Sequence, residues 1–487
     1  MTGPLPNLVY VDRVIAATEP TTDEFDAVYL DTADLRLARH SVTLCRVEGG
    51  DDAGWWLDVP DGAGRSTPIR QPLGRSPRPP AALARRLRVL TRHDTLRRAV
   101  TLHTARTQCR LLDETGAVLG TVSDDVVRAQ PSRARASISV WRQVTTTILA
   151  DDPRLADAVR GRLATAGLQP SDAVPVMQRI FPGRLPCAAA VGPDTSSGDV
   201  LLGYLGRQLA ELIGEDARAR RDEPDAVHRM RVATRRLRAG LATYRPLVDR
   251  SRTEPIRDEL AWLGSELGAA RDAEVVRDRL RGRLSELAPD LVRGPVAARI
   301  EQETVSRHEA AHSEFVRALD GDRYLCLLDA LDELMVRPPV RNCASRPARI
   351  GLVRLVRDAC RRVDRLVARA DATTDPQQHD ALLHELRRAA KRARYAAESV
   401  APALGGRATR LAAAMEQIQE VLGEYQDSVT ARPVIAAMAS AANAAGEDGF
   451  TFGLLYGLEQ WSGERALARY PQVRNAAQHR GVRRWLG

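Results

Sequence analysis

Two arginine-rich segments constrain this chain more than anything else in it, because each is tenable only on a helix whose charge something else offsets. In Asp225–Arg238, His228, Arg231, Arg235 and Arg238 fall within about 80° of arc at roughly 100° per residue, with Arg236 to one side. Like charges three and four residues apart repel, so such a stripe weakens its own helix unless carboxylates or a polyanion face it. A second copy follows in His384–Tyr395, where His384, Arg387, Arg388, Lys391, Arg392 and Arg394 repeat the pattern in register. One stripe could be a solvated face; two matching stripes point to a site.

Bulk charge adds little to this. The net charge of +9 is carried almost entirely by arginine in an Ala- and Arg-rich chain, as codon bias alone would produce, so only the local clustering is informative. The sole lysine, Lys391, lies inside the second stripe. A chain of 487 residues is long enough for two or more domains, each with its own core. Its 6 cysteines show no C-x-x-C pair and no nearby histidines, which argues against zinc and against a disulfide framework. No basic region followed by an apolar run opens the chain, and no stretch reaches the roughly 18 apolar residues of a membrane span. A soluble, unexported protein of the reducing cytoplasm is expected, with no membrane partner.

Up to about residue 185 the pattern predicts strands at 28–30, 42–47, 55–59, 96–102, 108–112, 118–122 and 138–149, with helical patches near 78–90 and 152–166. Asp113-Glu114-Thr115-Gly116 reads as a hairpin turn. This is an antiparallel α+β domain. The Pro-, Gly-, Ala- and Ser-rich stretch that follows marks a linker, and everything after it reads helical. Helices are predicted over 199–213, 224–244, 254–284 with an interruption near Gly268, 296–319, 323–336, 349–370, 379–401, 407–422, 428–445 and 450–467. No heptad persists, so the second part is a helical bundle. Its repeat extends beyond the stripes: Leu267-Gly268-Ala269-Ala270-Arg271-Asp272 corresponds to Leu422-Gly423-Glu424-Tyr425-Gln426-Asp427. An internal duplication is expected, with both stripes facing one groove. Gly268 and Gly423 would allow close helix packing or end a helix. Asp272 and Asp427 would each pair with an arginine of the stripe and orient it.

In the first part, Tyr29-Leu30-Asp31-Thr32, Leu44-Cys45-Arg46, Gly54-Trp55-Trp56-Leu57-Asp58-Val59-Pro60 and Trp141-Arg142-Gln143 resemble motifs of the CYTH family. That resemblance implies the triphosphate tunnel fold, an antiparallel barrel whose carboxylates hold divalent metal while basic residues hold triphosphate. Several positions depart from the pattern. The early Glu-x-Glu-x-Lys signature is absent, Leu8–Arg13 being the one candidate. Asp58 stands where a lysine is usual, Gln143, Thr145 and Thr147 replace alternating glutamates, and Asp172 replaces the late lysine. Asp124, Asp125 and Arg46 remain, too few for a two-metal tunnel, so a barrel without hydrolase chemistry is expected, with divalent metal needed only if it is active. Tyr29-x-Asp31-Thr32 is also accounted for by a local strand-to-turn structure.

The duplicated His-x-x-Arg-x-x-x-Arg/Lys-Arg-x-Arg with Leu-Gly-x-x-x-Asp resembles the CHAD family, all-helical and named for its histidines. The two resemblances imply a CYTH-like domain at 1–182, a linker at 183–198 and a CHAD-like domain at 199–480. They also imply inorganic polyphosphate as the ligand, recruitment to polyphosphate granules, and a binding set of His228, Arg231, Arg235, Arg236, Arg238, His384, Arg387, Arg388, Lys391, Arg392 and Arg394, supported by Asp272 and Asp427. Two further classes stay open: a metal-dependent triphosphatase or polyphosphatase of the CYTH type, and a nucleic-acid binder. Charge permits the latter, but only 4% of residues are aromatic and no DNA-binding module is visible.

Overall fold

The computed structural model describes residues 5–60, 68–132, 138–149, 152–171, 174–185 and 191–487, which form two compact units, 1–188 and 189–487. Asp172 and Cys187 lie outside the described residues. The described cysteines are free thiols, and no helix among the described residues is long and apolar enough to cross a membrane.

The first unit is an antiparallel sheet. Its strands are β1 (Ala16–Ala17), β2 (Thr21–Asp31), β3 (Thr43–Glu48), β4 (Gly54–Asp58), β5 (Ile69–Gln71), β6 (Arg97–Leu112), β7 (Val118–Pro131) and β8 (Ser139–Ile148), ordered β5-β4-β3-β2-β6-β7-β8 with β1 on β6. Short helices α1 (Arg36–Arg39), α2 (Ala81–Thr91), α3 (Pro153–Thr165) and α4 (Val176–Ile180) accompany it. Asp113 closes the predicted β6–β7 hairpin by accepting from the backbone N–H of Thr115 and Ala117, with Gly116 at φ 81°. The expected barrel does not close: among the described residues β5 pairs only with β4 and β8 only with β7. Leu8–Arg13 forms turns and no strand. Asp31 accepts from the N–H groups of Thr32, Leu37 and Ala38, and Thr32 Oγ1 accepts from Arg36 N, so this pair joins β2 to α1 as a strand-to-turn device.

The second unit is helical. Its helices are α5 (Ser197–Ala219), α6 (Ala226–Thr243), α7 (Arg250–Ser285), α8 (Val296–Asp320), α9 (Asp322–Val336), α10 (Ala348–Asp371), α11 (Pro376–Leu404), α12 (Gly406–Ala444), α13 (Phe450–Gln478) and α14 (Arg480–Arg483). The repeated sequence segments fall on α6 and α7 and again on α11 and α12. Each stripe helix packs between the helices before and after it, and the two stripe helices α6 and α11 pack on each other. Two expectations need correction. α7 runs unbroken through Gly268, and the two segments expected at 407–422 and 428–445 are one helix, α12. Gly268 and Gly423 are therefore mid-helix residues, where glycine costs about 1 kcal/mol against alanine unless the missing Cβ is used. Part of the expected linker is docked: Ser197 donates to Arg346 O from both its N–H and its hydroxyl, and Asp194 pairs with Arg349.

Candidate anion-binding site

Small residues bring the stripe helices together. α6 buries Ala226, Ala233, Ala239 and Gly240, and α11 buries Ala389, Ala390, Ala393, Ala396 and Ala397. Leu237 of α6 and Leu386 of α11 are buried as well. Asp375 caps α11 by accepting from Gln377 and Gln378 N–H behind Pro376, whereas α6 starts without a side-chain cap from Asp225 at φ 61°. The fully buried Tyr244 hydroxyl lies 2.5 Å from Ser399 Oγ and locks the register of α6 against α11.

This register brings Arg231 and Arg235 of α6 beside Arg387 and Lys391 of α11. Burial, followed by the charges of Arg235, Arg387 and Arg231, pushes Lys391 down from its ordinary value to about 7. Arg235 is lowered too, by burial first and then by Arg231 and Arg387 against a partial offset from Tyr395. Two carboxylates stand behind the cluster. Arg231 Nη1 donates to Asp272 at 2.9 Å, and Arg387 Nη2 lies 3.9 Å from Asp427. The glycines complete the arrangement. A Cβ on Gly423 would sit 3.2 Å from Arg387 Nη2, and one on Gly268 would sit 3.8 Å from Arg231 Nη2, so each guanidinium lies against the bare backbone of the following helix.

The histidines flank this cluster unequally. His228 is half-buried and held below its ordinary range by burial, Arg271, Arg235 and Arg231, against Asp225. His384 is exposed and Nδ1 donates to Gln426 Oε1 at 3.0 Å.

The remaining stripe arginines do not join the central group. Arg236 donates to Glu398 at 2.9 Å and lies over the Tyr395 ring; Arg394 donates to Glu398 at 2.6 Å, pairs with Glu416 at 2.8 Å and lies over the same ring. Both are neutralised within the fold. Arg238, Arg388 and Arg392 form a separate group with Arg362 of α10. Sequence reasoning missed Arg362 and Arg271 because neither lies in a stripe; only the packing of α10 and α7 brings them in.

Elsewhere in this unit, Asp222, Glu274 and His308 place ligand atoms within 4.8 Å of one another. Their donors are already engaged: His308 Nε2 lies 2.7 Å from Asp222 Oδ2, and Glu274 accepts from Arg271 at 2.6 Å.

The first unit holds a cavity of about 380 Å3 on one face of its sheet. Strand alternation decides which surviving tunnel residues reach it. Asp125 faces in and Asp124 faces away, paired with Arg142 at 2.7 Å. Thr43, Cys45 and Val47 line the cavity, so Arg46 between them does not, and it pairs with Glu48. The buried Asp125 accepts from Arg106 at 2.8 and 3.0 Å and from Gln143 at 3.4 Å. Asp52 and Asp58 line the same cavity, Asp58 with a buried Oδ1 that has no hydrogen-bond partner among the described residues, and Met177, Ile180 and Phe181 pack among Ala27, Cys45, Val47, Leu102 and Val127 beside them.

The helical unit matches the CHAD domain family over residues 203–436. Two uncharacterized proteins of Mycobacterium tuberculosis, MT2285 from strain CDC 1551 / Oshkosh and Rv2226 from strain H37Rv, are each 33% identical over 478 residues, covering 94% of this chain and 91% of theirs. Among solved structures, PptA from Streptomyces chartreusis is similar at 24% identity and TM-score 0.47, over 58% of this chain and 100% of that one. The CHAD domain from the plant Ricinus communis is similar at 23% identity and TM-score 0.42, over 62% of this chain and 94% of that one. With a domain match that takes in both stripes and relatives aligned along nearly its whole length, the chain belongs to the family of CHAD-domain proteins.

Proposed function

We propose that this protein binds inorganic polyphosphate through Arg231, Arg235, Arg387 and Lys391, with His228 and His384 at the edges. The observation that carries this is a fold that holds four cations together with two carboxylates behind them, at the cost of half-deprotonating its only lysine near pH 7. A polyanion removes that cost. Polyphosphate carries a charge on every unit, so it matches closely spaced cations and releases their counterions together. Arginine adds paired contacts to non-bridging oxygens. CHAD domains are linked to polyphosphate binding, which agrees with the charge pattern. Residence at polyphosphate granules in the cytoplasm follows from the same reading. Nucleic acid is a weaker fit, because Tyr395, the one aromatic residue in the stripes, is buried beneath Arg236 and Arg394 and offers no stacking surface.

The test is competition among polyphosphate, RNA and DNA at physiological salt. Polyphosphate should displace both nucleic acids, and Arg231→Ala, Arg235→Ala, Arg387→Ala and Lys391→Ala should each lose binding without unfolding. Polyphosphate that fails to displace DNA, or variants that bind normally, would remove the proposal. The glycines give a finer check. Gly268→Ala should leave binding intact and stabilise α7 by about 1 kcal/mol. Gly423→Ala, whose Cβ meets Arg387 at 3.2 Å, should weaken polyphosphate binding several-fold.

For the first unit we infer a degenerate CYTH-like domain without hydrolytic activity. Of the three carboxylates among the described residues that line its cavity, the buried Asp125 is engaged by Arg106 and Gln143, Asp52 is exposed, and Asp58 stands where the family pattern has a lysine, while apolar residues pack against the same face where a tunnel would need two metals. Phosphate release from tripolyphosphate should stay at background with Mg2+ or Mn2+; divalent-dependent release would overturn this.

A further inference from the structure

Arg238 of α6, Arg388 and Arg392 of α11 and Arg362 of α10 have no hydrogen-bond or ion-pair partner among the described residues. Arg238, Arg362 and Arg388 are exposed. Arg362 and Arg392 line one cavity of about 340 Å3 between α6, α10 and α11, whose floor is apolar (Ala242, Leu355, Ala359, Ala389). Arg245 also lines it but is held by Glu254 at 2.6 and 2.7 Å. The single lining carboxylate, Asp358, has Arg361 at 3.7 Å. The cavity thus has, among the described residues, two guanidinium groups without an ion-pair partner at its wall and two more beside it; Glu385 offsets the charge around Arg392 less than Arg362, Arg388 and Arg238 add to it.

The duplication shows that this is not a generic outcome of the stripe. The positions matching Arg238 and Arg392 in the other copy are Arg394 and Arg236, and there the fold supplies Glu398 and Glu416 to neutralise both. Related arginines are therefore neutralised on one flank of the central cluster and left open on the other. Arg388 and Arg392 follow Arg387 and Lys391 on α11, so the open flank adjoins the central cluster.

We propose that Arg238, Arg362, Arg388 and Arg392 form an outer anion subsite, in which a polyphosphate chain held at the central cluster continues over the cavity between α6, α10 and α11. This rests on the polyphosphate reading above and extends it: the ligand is a chain longer than the central cluster can cover, and it leaves by the open flank. The apolar floor gives phosphate nothing to bind, so the chain tracks the arginines at the rim. The subsite selects for length, because a short oligophosphate satisfies the central cations alone.

Arg362 is the residue to test, being exposed, unpaired and outside both stripes. Binding of tripolyphosphate and of long-chain polyphosphate is measured for the parent, Arg362→Lys, Arg362→Gln and Arg362→Glu in phosphate-free buffer across a salt series. Tripolyphosphate affinity should be the same in all four. Long-chain affinity should hold in Arg362→Lys, fall several-fold in Arg362→Gln and about tenfold in Arg362→Glu, with the salt slope lower by about 0.7 in Arg362→Gln. Unchanged long-chain affinity in Arg362→Glu overturns the subsite, and so does an equal loss for both lengths, which would place Arg362 in the central site or in the fold. A parent that binds neither ligand sinks the polyphosphate reading itself, and the inference with it.

Discussion

Lys391→Met is expected to lose most polyphosphate binding and at the same time make the protein more stable. The lysine has a folded-state pKa of about 7 against its ordinary 10.5, lowered by burial and by Arg235, Arg387 and Arg231. Below pH 7 it is charged in both folded and unfolded states, and the folded state bears the full repulsion. Between pH 7 and 10.5 the unfolded chain binds the extra proton, so stability rises with pH; above 10.5 the lysine is neutral in both states and the penalty is gone. Methionine removes the penalty, so the variant should gain on the order of 1–3 kcal/mol at pH 6, and the gain should vanish as the pH approaches 10.5. Urea unfolding at several pH values measures this. An unchanged or lower midpoint at pH 6 would show that the cluster does not strain the fold.

Binding should carry the opposite sign of the same effect. Bound phosphate oxygens favour the protonated lysine, so complex formation takes up a proton above pH 7 and affinity should fall between pH 7 and 9, by up to tenfold per unit. Lys391→Arg stays charged and should keep its affinity at pH 9. His228, held below its ordinary range, adds its own gain in affinity on the acid side.

The largest loss of stability should come from Glu459→Gln. This carboxylate on α13 is fully buried and accepts from Arg279 at 2.8 and 2.5 Å and from Arg283 at 3.0 Å. The same two arginines reach Glu424, which also accepts from Ser462 Oγ at 2.6 Å. The amide leaves two largely buried guanidinium groups with half their compensation, a change that costs about 3–5 kcal/mol. The denaturant midpoint should drop accordingly, while the protein that remains folded binds polyphosphate as before. A loss below about 1 kcal/mol would mean that Glu424 alone satisfies both arginines. Glu424 is held down to about 2, first by the Arg279 hydrogen bond, so its contribution is present above its ordinary pKa of 4.5 and is lost as the pH falls through 2.

Both stripes were legible because helical periodicity places His228, Arg231 and Arg235, and equally His384, Arg387 and Lys391, on one face whatever the rest of the chain does. That Asp272 pairs with an arginine of the stripe was legible in the sequence; that this arginine is Arg231 is seen only in the fold. Helix ends were less so: Gly268 and the stretch after Leu422 read as breaks, yet packing on neighbouring helices carries α7 and α12 through them. In the first unit the strands were legible as short segments. Their joining into the long β6, and the failure of the sheet to close, depend on pairing partners far along the chain.

What the sequence determined by itself is local: two cationic helix faces, the residues that flank them, and the division into a strand-rich and a helical part. Which cations are free was decided by tertiary structure alone. Arg236 looks no different from Arg238 and Arg392 along the chain, and only Arg394 has a carboxylate, Glu398, one turn on; in the fold Glu398 and Glu416 pair with Arg236 and Arg394, while Arg238 and Arg392 form no ion pair among the described residues. Charge compensation depends on separation in space: Arg394 meets Glu398 one turn along its own helix, but Arg236 on α6 reaches the same Glu398, and Glu416 of α12 reaches Arg394, only because the helices pack together.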